Sequence, residues 1–175
     1  LHGYLLDEGF DALSLHGDLE QIDRDEHLLL FANGSAQILV ATDLASRGLD
    51  IKDVEMVINY ELPNTMEIYT HRIGRTGRMG KEGLAVSFVT PKEESFFEEL
   101  KEARASLSMD SYSFSDSLRL SRIQARQIYN NQIEKAKPQQ LILYSCSLNE
   151  YSQDESYGAL YLTNLLRDAN NFTNC

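Results

Sequence analysis

The sequence predicts a doubly wound α/β domain with a parallel sheet, followed by a partly helical or irregular carboxy-terminal tail. Apolar runs at Gln37–Thr42, Val54–Asn59 and Leu84–Val89 have the unbroken character of strands buried on both faces. Stretches with helical spacing precede or separate them, at Gln21–Phe31 and Met66–Arg72. Strands that alternate with helices build a parallel sheet with helices packed on its faces.

Leu1–Gly9 reads as the end of an amphipathic helix closed by Gly9, and Ala12–Leu15 as a short strand. The next helix carries Ile22, Leu28, Leu29 and Phe31 among charges and stops at Asn33-Gly34. After the three apolar runs, Lys92–Ala105 reads as a charged surface helix that closes a domain spanning residues 1–105. Residues 106–175 form the tail. Ser106–Ser117 is a serine-rich linker, Leu118–Lys137 an amphipathic helix ending before Pro138, Leu141–Tyr144 could be a strand, and Leu160–Leu166 a helical turn or two. The tail contains no recognised module.

The chain has 175 residues, enough for one ordinary domain and an appendage. It has no apolar run long enough to cross a bilayer and no charged-then-apolar leader, so a cytoplasmic protein with no membrane partner is expected. Cys146 and Cys175 stand far apart with no clustered histidines, which predicts neither a disulfide framework nor a metal site. The first residue is Leu1, already inside a predicted helix, and the chain is expected to be a fragment. A net charge of −11 argues against indiscriminate nucleic-acid binding, yet Arg72, Arg75, Arg78 and Lys81 fall within ten positions. A local anion site is compatible with an acidic whole.

Ligands of such sheets gather at the carboxyl ends of the strands, so the loops after Leu15, Thr42 and Asn59 and the helix leading to Arg78 are the informative ones. The stretch Tyr69-Thr-His-Arg-Ile-Gly-Arg-Thr-Gly-Arg-Met-Gly80 spaces three arginines by three, with glycines that permit close approach of a ligand. Together they predict an anion clamp on one turn-rich surface. Arginine suits a phosphoryl group in transfer because it stays charged and bonds two oxygens at once. Thr42 and Gly17 follow predicted strands, where a small hydroxyl and backbone amides can meet a phosphate.

That stretch is accompanied by Leu15-His-Gly-Asp18 with Gln21 and Arg24, by Ala41-Thr-Asp-Leu-Ala-Ser-Arg-Gly-Leu-Asp-Ile51, and by Asn59-Tyr-Glu-Leu-Pro63. In this order they resemble the second, RecA-like core domain of superfamily 2 helicases, and of the DEAD-box RNA helicases in particular. The run Ser14–Gln21 followed by Asp23-Arg-Asp25 looks closest to the bacterial DbpA type. The resemblance covers residues 1–105. It implies that Arg75 and Arg78 are arginine fingers for the γ-phosphate of ATP, and that Asp50 contacts the ribose. It also implies that Arg47, His71 and Arg72 couple the two core domains, while Gly17, Gln21, Arg24, Thr42 and Gly48 grip the RNA backbone without reading its sequence. ATP with Mg²⁺ is the implied cofactor, held mainly by an amino-terminal RecA-like domain that would be the partner.

The sequence departs from that pattern in several places. It has no Gly-x-x-x-x-Gly-Lys-Ser/Thr loop, no Asp-Glu-Ala-Asp stretch and no adenine-reading glutamine segment, so the chain alone is expected not to hydrolyse ATP. Glu61 stands where the family more often has Asp. The chain begins after the strand that ordinarily opens such a domain, so a sheet built from residues 1–105 is expected to lack a member and to expose an edge. Leu141–Tyr144 is a candidate for the vacancy, although nothing in its flanks specifies it. A DbpA-type protein would continue into a basic RNA-recognition module, which residues 106–175 do not resemble. The leading expectation is the arginine-bearing half of an ATP-dependent RNA helicase. The alternative is a non-catalytic RNA- or protein-binding fragment derived from one.

Overall fold

The structure, a computed structural model, describes residues 1–43, 51, 54–77, 83–90, 92–103 and 140–145. Chain order runs α1 (His2–Asp7), β1 (Ala12–Leu15), α2 (Gln21–Ala32), β2 (Ile38–Ala41), β3 (Met56–Asn59), α3 (Met66–Ile73), β4 (Leu84–Ser87), α4 (Glu94–Ala103) and β5 (Leu141–Tyr144). The tail helix expected at Leu118–Lys137, the serine-rich linker and Leu160–Leu166 lie outside the described residues.

Two helices end as their glycines predict. At α1 the amide of Phe10 bonds the Leu5 carbonyl and that of Gly9 the Leu6 carbonyl, with Gly9 at φ 85°. At α2 the amides of Ser35 and Gly34 bond the Leu30 and Phe31 carbonyls in the same way, with Gly34 at φ 79°. Both are left-handed closures that satisfy otherwise orphaned helix carbonyls, and glycine enters that conformation without a β-carbon penalty.

The strands form one five-stranded sheet in the order β1-β2-β5-β3-β4, and every pairing is parallel. Successive side chains point to opposite faces, so β1, β2, β3 and β5 each supply both cores. Ile38, Val40, Met56, Ile58, Leu141 and Leu143 meet Leu5 of α1 on one face. Leu15, Leu39, Ala41, Val57, Ile142 and Tyr144 meet Phe31 of α2 on the other. Leu62, Tyr69 of α3 and Leu100 of α4 make a third cluster with Phe96 and Phe97.

The vacancy expected in a sheet built from residues 1–105 lies between β2 and β3, and β5, the candidate Leu141–Tyr144, fills it with residues that are 0–1% exposed. In α2, Ile22 and Phe31 are about two and a half turns apart and so lie on opposite sides of the helix; Phe31 is buried, whereas Ile22 and Leu29 are 73% and 66% exposed. One expectation is corrected: Leu84–Val89 is not buried on both faces, since β4 is the outermost strand and its residues are half-buried or exposed. Among the described residues no helix is long and apolar enough to cross a membrane.

Candidate functional site

The helix α3 organises the site. It starts where the Thr65 hydroxyl caps the amide of Ile68, follows β3, and ends at Gly74. Tyr69 and Arg72 are three positions apart on one helical face, and both are buried. Side chains on a helix lean toward its amino terminus. Arg72, in the last turn, therefore reaches back to where the strands end.

There it is enclosed. Its Nε and one terminal nitrogen donate to the two oxygens of Asp43 at 2.6 and 2.7 Å, a bidentate pair. The other terminal nitrogen donates to Asn59 Oδ1 at 3.1 Å and to the Glu61 carbonyl at 2.7 Å. The guanidinium carbon lies 4.9 Å from the centre of the Tyr144 ring. Arg72 is 2% exposed, so this is a buried charge with a carboxylate, an amide, a carbonyl and a π face all directed at it. Asp43 follows β2, Asn59 ends β3 and Tyr144 ends β5, so one side chain joins the carboxyl ends of three strands. The amide of Asn59 in turn donates to the Ser87 hydroxyl at the end of β4, 3.1 Å away.

Arg72 does not share the predicted surface with Arg75, because it is buried within the helix while Arg75 lies in the turn beyond it. Arg75 is half-buried, and its terminal nitrogen donates to the Ile51 carbonyl at 3.3 Å. The Arg75 carbonyl accepts from the amide of Val54, and the Thr76 hydroxyl donates to the Glu55 carbonyl. The arginine turn is thus fastened to the segment entering β3 rather than to the strands' carboxyl ends. Gly77 holds φ 67°, and Gly83 presses against it so closely that a β-carbon at Gly83 would collide with the Gly77 backbone and the Thr76 hydroxyl.

Other predicted residues are placed as follows. Gly17 is exposed in the loop after β1, and Thr42 is half-buried one strand away, its amide bonded to the Leu15 carbonyl at 3.1 Å. Gln21 and Arg24 lie in the first turns of α2, which leaves that same loop; the exposed Gln21 amide donates to Asp25. In the loop itself His16 Nδ1 lies 3.7 Å from an Asp18 oxygen. His71 is exposed on α3, one residue before the buried Arg72. Arg47, Gly48, Asp50 and Arg78 lie outside the described residues.

The structure brings Thr42, Gly17, the start of α2 and the Arg72 cluster to the same end of the sheet. It ties Arg72 to Asp43, near the start of the word that contains Arg47, Gly48 and Asp50, and Arg75 to Ile51, which closes it.

Asp43, Asn59, Glu61, Tyr144 and Ser145 were missed as site residues. Asp43, Asn59 and Glu61 stand inside motif words already singled out, and being polar next to strand ends was their signal. Tyr144 and Ser145 close the last apolar run, and no local pattern points them to the arginine.

Comparison with known proteins gives a consistent result. Residues 1–80 match the helicase conserved C-terminal domain. The chain is 64% identical over 85 residues to the ATP-dependent RNA helicase DbpA of Escherichia coli, covering 49% of this chain and 19% of that protein. It is 52% identical over 93 residues to the DEAD-box ATP-dependent RNA helicase RhpA of Helicobacter pylori, covering 53% and 19%. The matched stretch therefore spans about a fifth of the length of these relatives. The fold superposes on the C-terminal domain of Saccharomyces cerevisiae Dbp5, solved as the L327V form bound to Gle1 H337R and IP6. The TM-score is 0.54 at 31% identity, covering 68% of this chain and 71% of that one.

Proposed function

The chain belongs to the DEAD-box RNA helicases through their helicase conserved C-terminal domain, and from that premise we propose that it is the arginine-bearing half of an ATP-driven RNA-remodelling core. The observation that carries this reading is the fastening of α3 and the turn that follows it to the two residues flanking 44–50, by Arg72 to Asp43 and by Arg75 to Ile51. Such a connection lets a nucleotide contacted near Asp50 and an RNA contacted near Thr42 both bear on α3 and the turn after it.

In this reading ATP and Mg²⁺ bind mainly on an amino-terminal core domain, and this chain closes over them. Arg75 and Arg78 reach the γ-phosphate, where their forked N–H groups neutralise charge that accumulates on the phosphoryl oxygens during transfer. A half-buried guanidinium held at a turn fits that task, because little rotamer freedom is lost on engagement. Asp50 accepts from the ribose. Arg47, His71 and Arg72 couple the two domains, with Arg72 acting from within the fold rather than by touching the nucleotide.

Gly17, Gln21, Arg24, Thr42 and Gly48 hold the RNA backbone. Their backbone amides, hydroxyl and cation suit phosphate and sugar rather than base edges, so binding is independent of sequence. The working protein is cytoplasmic, and its partners are RNA and the first core domain.

The test is reconstitution. Mixed with a separately produced first core domain, the chain should generate RNA-stimulated ATP hydrolysis that neither component shows alone. A folded mixture that binds ATP and RNA yet never turns over would favour a non-catalytic binding fragment instead.

A further inference from the structure

β5 is the last described strand in the sequence and the central one in space. Residues 104–139 lie between it and α4, while β2 and β3 are separated in the sheet by one strand's width that only β5 occupies. The register runs Ile38↔Leu141↔Met56 at one end and Ala41↔Tyr144↔Asn59 at the other. A central strand donates and accepts along both edges, so an empty position would leave the inner edges of β2 and β3 unpaired between two apolar layers. Burying unpaired backbone groups there is costly. Residues 1–103 therefore define a slot as well as a fold.

The slot has chemical definition along its length. Its walls require apolar side chains on both faces: Leu141 and Leu143 enter one core, Ile142 and Tyr144 the other. Polar groups mark each end. At entry the Gln140 amide donates to the Glu55 carboxylate at 2.9 Å, its side chain to the Phe31 carbonyl, and the Leu141 amide to the Gln37 carbonyl. At exit the Ser145 amide donates to the Ala41 carbonyl, and the Ser145 hydroxyl to Glu61 at 3.2 Å. These ends fix direction and register, which an apolar run alone leaves open to slippage.

We infer that the space between β2 and β3 is a strand-acceptor site, filled here by the chain's own residues 140–145, that will also take the same segment from a separate polypeptide. Main-chain pairing on two edges supplies the affinity, and the Gln-Leu-Ile-Leu-Tyr-Ser pattern supplies the selection. Occupancy also completes the Arg72 cluster, since the ring beneath that guanidinium and the hydroxyl on Glu61 both arrive with the strand.

The experiment uses the full chain with Leu143→Pro, which removes a ladder donor from the central strand, and a synthetic peptide of residues 138–147. The variant should lose the slowly exchanging amides of β2 and β3, and excess peptide should restore them. A peptide carrying Leu143→Lys should bind tenfold or more weakly, as burial of a leucine side chain corresponds to about that factor or more. Two outcomes overturn the inference: protected β2 and β3 amides in the variant without peptide, or a variant that stays unprotected at saturating peptide. Both readouts are independent of ATP and RNA, so they stand apart from the outcome of the reconstitution.

Discussion

The Arg72 guanidinium meets the Asp43 carboxylate through two N–H···O bonds of 2.6 and 2.7 Å, joining the last turn of α3 to the end of β2. Arg72 is 2% exposed, and the Asp43 side chain 23%. A charge so enclosed is stabilised only while its partner remains.

Removing that partner should be expensive. Asp43→Ala is predicted to lower stability by about 3 kcal/mol, the order found when one member of a buried pair is deleted. Chemical denaturation with unchanged m-value checks it. Arg72→Lys should also destabilise, because an ammonium cannot fork across both Asp43 oxygens while reaching Asn59 and Glu61.

Tyr144 contributes through its ring. Tyr144→Phe should keep most of the stability, as the face beneath Arg72 is retained, whereas Tyr144→Leu should cost about 1–2 kcal/mol from the lost cation–π contact in a desolvated setting. Thermal unfolding of the two variants side by side distinguishes ring from hydroxyl.

Gly83→Ala should disturb the arginine turn without dismantling the sheet. The added methyl would collide with Gly77 and Thr76, and relieving such overpacking costs about 1–3 kcal/mol. The expected signature is chemical-shift change concentrated in residues 74–77, with the amides of β2 and β5 unmoved.

RNA binding by the isolated chain is predicted to be weak and to fall steeply as salt rises, because phosphate contacts release counterions. Arg24→Ala should reduce it equally for RNAs of different sequence. Titration of labelled single strands at several salt concentrations measures both effects; indifference to Arg24 would remove the start of α2 from the interface.

Much of the fold was legible. The runs at 38–41 and 56–59 announced buried parallel strands, and the helix stops at Gly9 and Gly34 fell where a left-handed residue was needed. The motif words led to the family. What stayed hidden was set by long-range geometry. Nothing near Leu141 says that it pairs with Ile38 and Met56, residues from distant parts of the chain. The inward turn of Arg72 was masked by its spacing with Arg75, which suggested one shared surface. The helix ends between them, and Tyr69, three residues earlier on the buried face, was the available clue.

The central claim is that Arg75 acts on the nucleotide while Arg72 acts on the fold. The most direct measurement is the turnover rate of the reconstituted pair with Arg75→Ala, alongside its thermal midpoint. The account predicts a fall in kcat of about 10³-fold or more, the scale of an arginine finger, with the midpoint nearly unchanged. Turnover equal to that of the unsubstituted chain would contradict it.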